Sequence, residues 1–66
     1  MMQFDAVFLV DDDPINNLIN KRLLGKVGIS EQIIEFLEGE DALTKIHDEP
    51  SENNLLIFLD ILFEFQ

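Results

Sequence analysis

The residues best equipped for chemistry are aspartates. In the stretch AVFLVDDDPIN, residues 6–16, Asp11, Asp12 and Asp13 stand directly behind five apolar residues and just ahead of Pro14. A further one, Asp60, closes the apolar run LLIFL of residues 55–59. Two unit charges roughly 4 Å apart repel by about 1 kcal/mol in water and about 4 kcal/mol at an effective dielectric of 20. A bare cluster therefore repels itself or takes up protons. A divalent cation removes that penalty, and hard carboxylate oxygens together with a backbone carbonyl suit Mg²⁺. A cation beside a carboxylate also lets that carboxylate attack phosphorus, because it offsets charge on the transferring phosphoryl oxygens. If the chain brings Asp60 to Asp11 and Asp12, the set suits aspartyl-phosphate chemistry.

The elements that would do so can be read in order. Ala6 to Val10 is continuously apolar and rich in β-formers, as in a strand buried on both faces of a parallel sheet. Asp13-Pro14 reads as a helix start, with Asp capping free amides and Pro at a position that needs no donor. Ile15, Leu18, Ile19, Leu23 and Leu24 follow at roughly helical spacing and predict one apolar face, with Gly25 and Gly28 as the stop. Gln32 to Leu37 is a second strand. Gly39 breaks it, and Ala42, Leu43 and Ile46 mark one face of a short helix that ends before Pro50. Residues 48–54 form a polar loop, and the third strand starts at Leu55.

The order strand, helix, strand, helix, strand with short connections predicts a parallel α/β unit with right-handed crossovers. In such sheets chemistry collects beyond the carboxyl ends of the strands, where the strand order reverses. Asp11 and Asp12 end the first strand and Asp60 lies near the end of the third. Three carboxylates converge if those strands are neighbours.

FLVDDDPIN and LLIFLDI at this separation, with FLEGEDAL between them, resemble the receiver domain of two-component response regulators. The resemblance runs from Phe4 to about Leu62. It implies a flavodoxin-like βαβαβ unit, with a three-stranded parallel sheet in the order 2-1-3 and a helix on each face. It implies that Asp11 and Asp12 bind Mg²⁺ together with Asp60 and the backbone carbonyl of Leu62. It further implies that Asp60 is the phosphoacceptor, charged by a sensor histidine kinase or a histidine phosphotransfer protein. Such a module is not a typical enzyme.

A receiver is ordinarily about twice as long, so residues 1–66 correspond to one truncated domain, the N-terminal half of the family fold. The family's later hydroxyl residue and lysine have no counterpart, since no Ser, Thr or Lys follows Asp60. Impaired switching is the consequence. In the family the third strand is central, and here its far side lacks a neighbour. Three or four apolar side chains left wet there forfeit about 1.5–3 kcal/mol each, which rivals the stability of a small domain. A homodimer through the third strand, continuing one sheet across two chains, is the expected remedy. The terminal LFEFQ would extend that strand, with Phe63 and Phe65 on one face beside Ile61. The alternative is a non-catalytic, self-assembling βαβαβ fragment with a vestigial acidic site.

Composition narrows the partners. The 66 residues hold 14 Asp+Glu against 4 Lys+Arg, a formal net charge of −10, which disfavours direct nucleic-acid binding. Hydrophobic content of 47% with six Phe argues for a folded core. Absence of cysteine fits a reducing, cytoplasmic setting. No apolar run is long enough to span a membrane. His47, the single histidine, falls at the end of the second helix, where an imidazole meets carbonyls or water. Lys21 and Arg22 read as a solvated helix face, or as part of the docking surface that the resemblance implies. Glycines 25, 28 and 39 do not spell G-x-G-x-x-G, so a dinucleotide site is disfavoured.

Overall fold

A computed structural model describes residues 3–60, with Asp60 described by its backbone alone. Its elements are β1 (Ala6–Asp11), α1 (Pro14–Val27), β2 (Ile33–Phe36), α2 (Gly39–Asp48) and β3 (Leu55–Asp60). The three strands form one parallel sheet in the order β2-β1-β3. The chain is thus α/β, as the alternation of patterns predicts. The terminal stretch LFEFQ lies outside the described residues.

β1 is the centre of the sheet, and its composition explains why. Ala6, Val7, Phe8, Leu9 and Val10 are all at most 2% exposed, which only a strand flanked on both edges and covered on both faces can achieve. Val7 pairs with Ile33 and Leu56, and Leu9 with Glu35 and Phe58. Alternation therefore puts Val7, Leu9 and Asp11 on one face and Phe8 and Val10 on the other. The Phe8 and Phe36 rings meet edge-to-face at 5.2 Å on the second face. Such a pair adds about 0.5–1.5 kcal/mol to the burial of its area. At the foot of the sheet, Asp5 N donates to Asn54 O and Asp5 Oδ2 accepts from Asn54 N at 2.8 Å, which fixes where β3 begins.

The start and stop of α1 follow the sequence. Asp13 is the N-cap, its Oδ1 accepting from Ile15 N at 2.9 Å, and Pro14 is the first helical residue. Gly28 closes the helix in the left-handed region at φ 72°, its N–H donating to Leu24 O and Gly25 O. Gly25 lies within the helix and does not stop it.

The expected apolar face of α1 is overturned. Ile15, Leu18, Ile19 and Leu23 are 45–65% exposed, and the one helix residue that is fully buried is Asn17. Asn17, Asn20 and Leu24, three or four residues apart, turn inward instead. Apolar residues are spread around α1, so the choice of inward face fell to Asn17, whose amide reaches two strand-end carbonyls. β2 is also shorter than expected, four residues instead of six. Ser30 sets its start: the hydroxyl donates to Gln32 O at 3.3 Å and accepts from Gln32 N at 3.2 Å, turning the chain just ahead of Ile33.

α2 buries Ala42 and half-buries Ile46, while Leu43 stays 58% exposed. Glu40 and Asp41 occupy its first turn and Lys45 and His47 its last, both favourable to the helix dipole. Exposed His47 thus sits where the sequence puts it. Among the described residues both helices pack on β1 and β2, and neither contacts β3.

Candidate functional site

Asp11 is the last residue of β1 and is 3% exposed. Its Oδ1 accepts from Asp13 N at 2.9 Å, an Asx turn that redirects the chain from strand to helix. Asp13 then caps α1, so the two flanking aspartates are engaged in turning the backbone. Asp12 lies between them and is exposed. DDD is thus divided into a buried carboxylate, an open one and a cap.

Asp60 joins this group through the sheet. β1 and β3 pair in register from Ala6↔Leu55 to Asp11↔Asp60, so residues 11 and 60 are neighbours at the carboxyl ends of adjacent parallel strands. The strand order reverses at β1, which has β2 on one side and β3 on the other. The acidic residues therefore collect at the place where open α/β sheets carry their ligands. Leu62 lies outside the described residues. Among the described residues no three His, Cys, Asp or Glu side chains are gathered closely enough to hold a metal ion, and Asp60 enters this arrangement by its backbone only.

Asn17, which the sequence reading passed over, supports the acidic end from beneath. Its Nδ2 donates to Asp11 O at 3.2 Å and to Phe36 O at 3.0 Å, joining the ends of β1 and β2 to the first turns of α1. Its Oδ1 is buried with no hydrogen-bond partner among the described residues. The available signal was periodicity: Asn17, Asn20 and Leu24 share a helix face, which an apolar count alone misses.

Two cavities flank β3, on which neither helix packs among the described residues. One, about 250 Å³, is lined by the polar residues Asp11, Asn17 and Asn20 and by apolar ones that include Phe58 and Leu59. The other, about 260 Å³, lies on the α2 side and is lined by apolar groups, among them Ala42, Leu43, Ile46, Ile57 and Leu59. On the outer surface of α1 and β2, Lys21 Nζ lies 3.8 Å from Glu35 Oε2, both partly exposed, a pair worth little in stability. Arg22 is exposed beside it.

No family model, curated protein or solved structure matches this chain.

Proposed function

We propose that this chain is a phosphoacceptor receiver module of two-component signal transduction, with Asp60 as the residue that takes the phosphoryl group. The observation that carries the reading is the register pairing of Asp11 with Asp60, with Asp12 next in the chain. The resemblance of the three motifs to receiver domains supports the same assignment of roles. The donor chemistry fits a hard divalent cation: a buried carboxylate from Asp11, an open one from Asp12 and that of Asp60, completed in this reading by the carbonyl of Leu62. Bound Mg²⁺ would supply charge neutralisation for the phosphoryl oxygens.

The residues of the chain then divide the work. An Asp60 carboxylate oxygen attacks phosphorus of a phosphohistidine on the kinase or phosphotransfer partner, forming an O–P bond as the P–N bond breaks. The bonding pair returns to the imidazole nitrogen, which takes a proton from solvent. Asp11 and Asp12 would hold the cation, and Asp13 keeps the N-terminal end of α1 in place. Lys21 and Arg22 on the exposed side of α1 belong to the docking surface in this reading. The module transmits a modification and turns over no substrate of its own. It works in the cytoplasm; among the described residues no helix is long and apolar enough to cross a membrane.

The alternative, a self-assembling fragment with an idle acidic site, is favoured by one specific observation. Among the described residues β3 lies at the edge of the sheet, untouched by either helix, and exposes Ile57, Phe58 and Leu59. An open edge with apolar flanks is a template for another strand. In both readings two copies pair through β3, and they differ in whether the aspartates still work. Thermal unfolding with Mg²⁺ and beryllofluoride, a phosphoryl mimic, separates them: a clear rise in midpoint supports the receiver, and no rise supports the fragment.

A further inference from the structure

The residue left unexplained by an account built on aspartates is Asn17. It is 1% exposed in the interior of α1, where a polar side chain costs free energy unless its groups are paired. Its Nδ2 is fully used, on the carbonyls of Asp11 and Phe36. Its Oδ1 has no partner among the described residues, and an unsatisfied buried acceptor is destabilising. A helix that needed only packing would place a leucine here, equal in reach and free of that deficit. Leu18 and Ile19, the next two residues, are left in solvent while Asn17 is buried.

The two carbonyls it holds are the last residues of β1 and β2. The Asp11 carbonyl is the pivot between the strand and the Asp11-Asp12 pair, so fixing it fixes the directions in which both carboxylates leave the backbone. Resting on the metal site proposed above, we infer that Asn17 is a positioning residue: it clamps the end of β1 to the end of β2 so that Asp11 and Asp12 present their oxygens to one cation. Groups behind metal ligands commonly change affinity about 10–100-fold when removed.

The test uses Mn²⁺ alone, its free form counted by electron paramagnetic resonance, on the whole chain and on Asn17→Leu. The expected result is binding by the unaltered chain and binding about tenfold or more weaker by Asn17→Leu, at a temperature where circular dichroism shows the variant folded. A folded Asn17→Leu that binds within twofold of the unaltered chain overturns the positioning role and leaves the metal site standing. An unaltered chain that does not bind overturns the metal site, and the role with it. If Asn17→Leu does not fold, the unaltered chain decides by NMR. The Asn17 side-chain amide protons should exchange slowly and move with added Mg²⁺ in step with the Asp11 and Asp12 backbone amides. Amide protons that stay still while those backbone signals move overturn the inference.

Discussion

Asp11 and Asp60 are register partners, the last residues of two adjacent parallel strands. Forty-nine residues apart in the chain, they become neighbours because each strand spends its full length in the same ladder. The proposed site needs little else from the fold, and its consequences can be measured. Replacing Asp11 and Asp12 together by Asn removes two of the three charged donors while keeping side-chain shape, including the oxygen that accepts from Asp13 N. Mn²⁺ affinity is expected to fall more than tenfold, since a divalent ion in oxygen ligands draws its binding from their charge. Unchanged affinity would show that the cation binds elsewhere on this acidic chain.

Asp13 has the same chemistry as its neighbours and a different job. Its Oδ1 caps α1 through Ile15 N, so Asp13→Ala is expected to cost about 1 kcal/mol. For a domain of this size that lowers the thermal midpoint by roughly 4–8 °C. Mn²⁺ affinity measured on the folded variant should stay within about twofold of the unaltered chain. A large loss of affinity without loss of stability would move Asp13 from the cap into the site.

The two glycines of α1 should respond with opposite signs. At Gly25 the backbone is helical and nothing lies within 4 Å of an added Cβ, so Gly25→Ala is expected to stabilise by about 0.5–1 kcal/mol. Gly28 has equal space around it but φ is 72°, so Gly28→Ala pays for the left-handed backbone alone, about 1–2 kcal/mol. Thermal unfolding of the pair checks this. Equal shifts would mean that Gly28 is not held as the helix cap.

The edge of β3 makes a prediction about assembly. Leu59 is 67% exposed and borders both cavities. Light scattering at micromolar concentration is expected to find a dimer of the unaltered chain. Leu59→Lys should shift the equilibrium toward monomer, because a charge on an exposed edge strand discourages strand addition. A monomeric unaltered chain would remove the dimer from both functional readings.

Much of this architecture is legible in the residues. Five consecutive apolar residues before three aspartates announce a strand buried on both faces, and Ala6 to Val10 is the buried centre. Asp13-Pro14 and Gly28 mark the ends of α1 because cap chemistry is local: a side-chain oxygen reaches an amide two residues on, and a left-handed backbone needs no distant partner. The inward face of α1 was not legible. Ile15, Leu18, Ile19 and Leu23 promise an apolar contact by spacing, yet hydrophobicity is so evenly spread around the helix that it selects no face.

By itself, then, the sequence determined element type, element order and the caps, since each depends on residues within a turn or two of one another. The resemblance also anticipated that β3 lies against β1, while tertiary structure decided which face of α1 is buried, that Asn17 reaches the carbonyls of Asp11 and Phe36, and that among the described residues neither helix packs on β3. The physical reason is the range of the interactions. Caps and alternation act along the chain, whereas a strand-end carbonyl offered to a buried amide exists only after distant segments have packed.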